Sequence, residues 1–229
     1  MSEAAIIDAW SLNATPWVAA VRERQIESRR LATDQAIVDA VAARSPRSVL
    51  DVGCGEGWLA RALAPTDTHV LGIDAIPGLI ECARCSGGGD FRVMSFEDIA
   101  AGRLKCRVDA AVCNFSLFGN TSVRKLLAAL AQMLNPGGAV LIQTLHPVAA
   151  CGDLPYQDGW REGSWAGFSA DFSKAAPWYF RTLASWIGLL NTSGLPVAEV
   201  LEPMHPDSQR PASIIFIAKA ASATSASNL

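Results

Sequence analysis

Residues 48–63 read SVLDVGCGEGWLARAL: an apolar, β-branched run, three glycines at alternate positions, then a second apolar segment. The run Ser48 to Val52 predicts a strand, and Trp58 to Ala64 predicts a helix. Gly53, Gly55 and Gly57 remove side chains from the turn between them. Its backbone can then approach a ligand closely, with its N–H groups pointing at it. The next apolar run, His69 to Ile73, predicts a strand that ends on Asp74. An acid at that place in a nucleotide-binding βαβ unit accepts hydrogen bonds from ribose hydroxyls.

The same alternation continues outward from this unit. Pro77 to Arg84 predicts a short helix, Gly87-Gly88-Gly89 a break, and Phe91 to Met94 a strand. Val108 to Cys113 is a continuous apolar run, as expected of a strand covered on both faces. Val123, Leu126, Leu127, Leu130 and Leu134 recur at helical spacing. Asn135-Pro136-Gly137-Gly138 predicts the stop, before a buried strand from Ala139 to Leu145. Tyr179, Leu183, Trp186, Ile187 and Leu190 predict a further helix, and Val197–Leu201 and Ser213–Ala218 two closing strands. Residues 1–46 read as N-terminal helices: Thr15-Pro16 as a cap with a first-turn proline, and Ala36, Ile37, Ala40 and Val41 as an apolar stripe. Residues 147–178 read as an irregular, Gly- and Trp-rich insertion in a domain over 47–220, and 221–229 as a disordered tail. Alternating elements imply an α/β, doubly wound, mostly parallel sheet with helices on both faces. Ligands bind such sheets at the carboxyl ends of the strands, where the strand order reverses.

Composition narrows the function. Of 229 residues, 50% are hydrophobic and 18% charged, enough for a sizeable core, and the net charge of −3 argues against a nucleic-acid surface. The start, MSEAAIIDAW, lacks a basic region, and no apolar run approaches the length of a membrane span, so a soluble, cytoplasmic protein is expected. Cys82 and Cys85 form a CxxC with no second pair, so no metal is expected.

Two ligand classes compete for the glycine turn. A dinucleotide site favours G-x-G-x-x-G, but Trp58 stands where its third glycine would fall. Asp51 is awkward beside a pyrophosphate and suits a ligand carrying an ammonium and a sulfonium. VLDVGCGEGWLARAL resembles motif I of the class I S-adenosylmethionine-dependent methyltransferases, and GIDAIPGLIECAR resembles their second motif. FRVMSFEDI, DAAVCNFSLFG and LLAALAQMLNPGGAVLIQTLHP continue the resemblance in order over roughly residues 47–146. It implies a Rossmann-like seven-stranded sheet of order 3-2-1-4-5-7-6, the last strand antiparallel. It also implies S-adenosylmethionine as cofactor, its methionine part against Asp51, Gly53, Cys54 and Gly55 and its ribose on Asp74. Ala75 and Ile76 would flank the adenine, Ser95 and Phe96 would stand at its edge, and Asn114 would pass the transferable methyl. Read without the resemblance, Asp74 also suits a helix cap and Asn114 a strand-end turn.

The layout is similar to quinone-biosynthesis and other small-molecule methyltransferases, which implies a small-molecule acceptor, with O-methylation favoured over N- or C-methylation. Neither nucleic acid nor membrane is expected as a partner, and monomer and homodimer stay open. His146, directly after the fifth strand, is the first candidate for a catalytic base or a structural histidine, and Tyr179 the second. Trp10 and Trp17 in the N-terminal helices and Trp160, Trp165 and Trp178 in the insertion, with Tyr156, Phe168 and Phe172, suit a water-excluding lid or the underside of a loop. Arg29 and Arg30 suit a cofactor carboxylate, an acidic acceptor or a solvated helix face. The competing functions are a nicotinamide-dependent oxidoreductase and a non-catalytic cofactor-binding subunit.

Overall fold

The computed structural model describes residues 2–220; the tail expected over 221–229 lies outside the described residues. Seven strands form the main sheet: β1 (Ser48–Val52), β2 (His69–Asp74), β3 (Asp90–Val93), β4 (Val108–Asn114), β5 (Leu134–Thr144), β8 (Val197–Leu201) and β9 (Ile214–Lys219). Their order is β3-β2-β1-β4-β5-β9-β8. Leu50 of β1 pairs in parallel with Leu71 of β2 and with Ala111 of β4. Strand β9 runs antiparallel to both neighbours, β5 and β8. This is the expected sheet, with β8 and β9 as its sixth and seventh strands. The chain leaves β1 toward β2 and β3, then crosses to β4 and β5. The loops after β1 and β4 diverge there and open a crevice.

Period-two alternation divides the strands between two cores. Leu50, Val52, Ile73, Cys113, Ile142 and Phe216 face one way. They lie under α6 (Phe96–Ala100), α7 (Thr121–Met133) and α9 (Leu183–Thr192). Val49, Val70, Val112, Leu141 and Ile217 face the other way. They lie under α3 (Asp34–Ala42), α4 (Trp58–Leu63) and α5 (Pro77–Ser86). Burial on both faces is why these strands read as unbroken apolar runs.

Two element boundaries differ from expectation. Asn135-Pro136-Gly137-Gly138 does not end α7 in a loop; it forms a bulge inside β5, where the register with β4 shifts between Val108 and Ala110. Asn135 donates to Asp109 Oδ1 at 2.7 Å, which fixes the bulge to the neighbouring strand. Tyr179 does not open a helix. It lies in β7 (Trp178–Phe180), paired with β6 (Gly159–Arg161), and α9 starts at Leu183 behind a Thr182 cap. The insertion therefore carries a small hairpin, and a short helix, α8 (Pro147–Cys151), precedes it.

The N-terminal segment forms α1 (Glu3–Leu12) and α2 (Ala14–Arg22), joined at Asn13, and a π-helical turn at Arg29–Thr33 leads into α3. Ser2 caps α1, and Pro16 falls inside the first turn of α2 rather than opening it. Asn13 is fully buried. It donates to Ala9 and to the Lys174 carbonyl at 2.7 and 3.0 Å, and accepts the Ser173 N–H at 2.8 Å. Trp10 contacts Trp17, Phe118 and Trp165 at centroid distances of 5.0, 5.6 and 5.7 Å. Trp165 in turn contacts Phe168 and Phe172. The insertion thus straps the outside of α1 and α2.

A second tie joins α2 to the glycine turn. The Glu56 carboxylate is wholly buried and meets Arg22 Nε at 3.1 Å and Arg61 at 2.5 Å. Charged hydrogen bonds of this kind contribute about 1.5–3 kcal/mol each, but both arginines are partly exposed and regain water when released. Glu56→Ala is therefore expected to cost about 2–3 kcal/mol in urea unfolding. A loss below ~0.5 kcal/mol would show that the ion pairs contribute nothing net.

Candidate active site

A cavity of about 440 Å³ lies at the carboxyl ends of β1, β2 and β4. Its walls include Gly53, Cys54 and Gly55 after β1, Asp74, Ala75 and Ile76 after β2, Ser95 and Phe96 after β3, and Asn114 at the end of β4. The structure so brings together every nominated cofactor position except Asp51, which sits behind the wall with 2% exposure.

The turn is built to come this close. Gly53 has φ +77°, and a Cβ there would fall 2.4 Å from the Ser116 Cβ. Its N–H and that of Cys54 both donate to the Ile73 carbonyl, at 2.8 and 2.9 Å. Gly55 N–H donates to Asp74 Oδ2 at 3.0 Å, and Ile76 N–H donates to Oδ1 at 2.9 Å. Asp74 therefore ties the tips of β1 and β2 together, and each oxygen keeps capacity for another donor. Burial pushes its carboxyl above the ordinary value, against the pull of the Ile76, Gly55 and Ala75 amides. Asp51 lacks such amides. Burial first, then the Asp74 charge, push its carboxyl up to about 7, and its Oδ2 has no hydrogen-bond partner among the described residues. Asn114 Oδ1 is unpartnered in the same way. Phe115, next in the chain, takes a left-handed φ of +49° at the switch in strand order.

At the adenine-edge positions, the Ser95 hydroxyl accepts the Asp98 N–H, and Asp98 accepts the Ser95 N–H, in a capping box at the start of α6. The Ser95 hydroxyl thereby spends one acceptor lone pair and keeps its O–H donor. Phe96 is the first residue of that helix, so its N–H belongs to the group a helix leaves without an internal acceptor.

Arg29 is buried and lines the cavity, while Arg30 is exposed. The Arg29 Nε donates to Asp34 at 2.8 Å, and its guanidinium lies 4.7 Å over Trp58 and 5.8 Å over Trp17. One terminal nitrogen, Nη2, has no partner among the described residues. The solvated-face alternative holds for Arg30 only.

The two catalytic candidates stand elsewhere. His146 Nε2 is 2.8 Å from Glu202 Oε1, and His146 is absent from the cavity wall. Tyr179 is also absent. Its N–H donates to the Phe118 carbonyl at 2.8 Å, and its ring packs against Trp160. Trp160, Trp165 and Trp178 do not line the cavity either. The far wall is α1, through Glu3, Ile6, Ile7 and Trp10, together with Phe118 and Ser122. Sequence reasoning passed over Glu3, Ile6 and Ile7. The available signal was the Ser2 cap followed by Ile6, Ile7 and Trp10 at helical intervals.

A family model described as a methyltransferase domain matches residues 23–200. The chain belongs to this methyltransferase family. A ubiquinone biosynthesis O-methyltransferase of Xylella fastidiosa (strain M23) is 37% identical over 107 residues, 44% of this chain and 43% of that protein. The chain thus spans less than half the length of the curated relatives it matches. Among solved structures, an S-adenosylmethionine-dependent methyltransferase from Mesorhizobium loti superposes with TM-score 0.61 at 21% identity, covering 80% of this chain and 95% of that one. The magnesium protoporphyrin IX methyltransferase of Synechocystis, solved with S-adenosylhomocysteine, gives TM-score 0.56 at 18% identity, over 82% and 81% of the two chains. These likenesses show a common fold. The methyltransferase match sets the nicotinamide reading aside. In this methyltransferase, no helix among the described residues is long and apolar enough to cross a membrane.

The raised Asp51 carboxyl has a consequence for stability. Between about pH 4 and 7 the folded methyltransferase holds a proton there that the unfolded chain has lost, so this group's contribution falls as pH rises through that window. Asp51→Asn is expected to gain on the wild type from pH 5 to pH 8 in urea unfolding of the ligand-free protein. A difference independent of pH would mean that Asp51 ionises normally.

Proposed function

We propose that the protein transfers a methyl group from S-adenosylmethionine to an oxygen of a small-molecule acceptor. One observation carries the reading. The glycine turn, the Asp74 carboxylate and the apolar face of α1 wall the same cavity. The donor set fits the cofactor: a turn stripped of side chains, a free acceptor capacity at Asp74, and buried carboxylates that favour positive charge. The curated relatives, named as O-methyltransferases, support oxygen as the accepting atom.

When bound, S-adenosylmethionine supplies a methyl carbon on a sulfonium, which is already a leaving group. The protein's part is to bind, orient and exclude water, and positioning of that kind supplies about 7–11 kcal/mol of a barrier. Asp74 accepts the ribose hydroxyls with the lone pairs left over from Gly55 and Ile76. Gly53, Cys54 and Gly55 give the methionine part a backbone surface. Arg29 offers the methionyl carboxylate its unpartnered nitrogen, held in place by Asp34 and Trp58. The Phe96 N–H meets the adenine edge, with Ala75 and Ile76 beside the ring. Asn114 holds the chain beside the methyl, and Asp51 favours the ammonium and sulfonium from behind the wall. Trp10 and Phe118 keep water from the reacting end. His146 and Tyr179 have no part in this reading, since neither lines the cavity. The cavity at Asn114 is walled by α1 and Phe118, not by His146 or the Trp-bearing insertion, and the match to a methyltransferase domain supports an enzyme over a subunit that only holds cofactor.

Calorimetry with S-adenosylhomocysteine tests the assignment. Wild type is expected to bind in the micromolar range, and Asp74→Ala at least a hundredfold more weakly with its circular dichroism unchanged. Arg29→Ala is expected to lose about tenfold toward S-adenosylhomocysteine, ~1.4 kcal/mol, and almost nothing toward 5′-methylthioadenosine, which lacks the carboxylate. No heat with wild type, or equal affinity in Asp74→Ala, would overturn the reading.

A further inference from the structure

Four charged side chains line the cavity: Glu3, Asp74, Glu97 and Arg29. Asp74, Glu97 and Arg29 stand among the groups the cofactor reading uses or adjoins, and Arg29 is paired with Asp34. Glu3 stands at the other end, with Ile6, Ile7, Trp10, Phe118 and Ser122. Its carboxylate is fixed there by the N-terminus of α7. Oε1 accepts the N–H groups of Asn120 and Ser122 at 2.8 and 3.0 Å, and Oε2 accepts that of Ser122 at 3.2 Å. Gly119 makes the room, since a Cβ there would lie 2.2 Å from the Ser122 Oγ and 3.2 Å from Glu3 Oε1. Oε2 keeps unused acceptor capacity.

The positive end of α7 is therefore already occupied by a negative group that the protein itself supplies. Arg181 donates to the carbonyls of Gly119 and Asn120 and lies outside the cavity wall. An acceptor entering this end meets one fixed carboxylate, Ser122, and the apolar side chains of Ile6, Ile7, Trp10 and Phe118.

We propose that helix α1 selects the methyl acceptor by charge: Glu3, seated on the N-terminus of α7, turns away acceptors bearing a carboxylate and admits flat, apolar ones that are neutral or cationic. A like charge forced beside a fixed one in an enclosed site is strongly disfavoured, and this is a common source of specificity. The proposal rests on the reading of the cavity as a cofactor-and-acceptor site.

Three probes sharing one ring separate the cases: 3-methylindole, tryptamine and indole-3-acetate, each titrated into protein saturated with S-adenosylhomocysteine and followed by ligand-observed NMR. Wild type is expected to bind 3-methylindole and tryptamine, and to bind indole-3-acetate at least tenfold more weakly. In Glu3→Gln, whose amide oxygen can still accept the α7 N–H groups, the gap is expected to fall below threefold. Ile7→Lys adds a cation to the same wall without touching Glu3, and is expected to raise indole-3-acetate affinity. The proposal is overturned if wild type binds the acid as well as 3-methylindole, if no ring binds, or if the gap survives both variants. Failure to bind S-adenosylhomocysteine would instead remove the cofactor reading, and the charge filter with it.

Discussion

The site depends on one carboxylate that holds two strand tips together. Asp74 accepts one amide from the glycine turn after β1 and one from the start of the α5 segment after β2. Gly53 and Cys54 also donate to the Ile73 carbonyl, but Asp74 is the side chain that ties Gly55 to the segment after β2. The tie has an electrostatic cost, because Asp74 is buried close enough to Asp51 to hinder its ionisation. Two carboxylates in a desolvated crevice, one lacking any hydrogen-bond partner for an oxygen, form a locally unfavourable arrangement in the ligand-free chain. Local rules are broken in this way where a structure is shaped for a ligand rather than for itself. A ligand bearing positive charge relieves the strain, whereas a pyrophosphate would add to it.

The sheet was legible because physics acts on it residue by residue. β1, β4 and β5 are covered on both faces, so their apolar runs stand out, and the glycines and Asp74 follow directly at strand ends. The site positions after β1, β2, β3 and β4 were legible for the same reason: in a doubly wound sheet, place in the chain fixes place in the crevice. Features set by distant partners were not legible. The Asn135–Gly138 bulge depends on Asp109 in the adjacent strand. The His146 ring meets Glu202, a residue distant in sequence, and does not line the cavity. Tyr179 belongs to a two-stranded sheet in which it pairs with Trp160, 19 residues earlier in the chain.

The tryptophans show a subtler limit. Their clustering in residues 147–178 was visible in the sequence, but an aromatic group carries no sign of which way it packs. Here most of them face α1, α2 and one another, and Trp10 and Trp17 stand between them and the ligand space. Arg29 reverses this lesson. Its neighbours in the sequence give it the look of a solvated arginine. The π-helical turn at residues 29–33 rotates it inward, where Asp34 and two indole rings hold it.

These contacts divide the work of the cavity between two layers of the fold. In the proposed reading the cofactor positions, Arg29 apart, come from the strand ends of the sheet, whose geometry is fixed by strand pairing and by two buried cores. The acceptor wall, in the same reading, comes mainly from α1, with Phe118 and Ser122 beside it, and α1 is held by the groups around it. Asn13 and the aromatic strap hold it from outside, Glu3 pins its start to α7, and the Arg22–Glu56 pair anchors the following helix to the glycine turn. Because the layers are joined by a few discrete ties, the acceptor wall can change in sequence without disturbing the cofactor positions. In that reading, substitutions in the insertion would act on the acceptor at second hand, through its packing on α1 and α2. That separation lets one sheet serve chemically different acceptors while the sulfonium end stays the same.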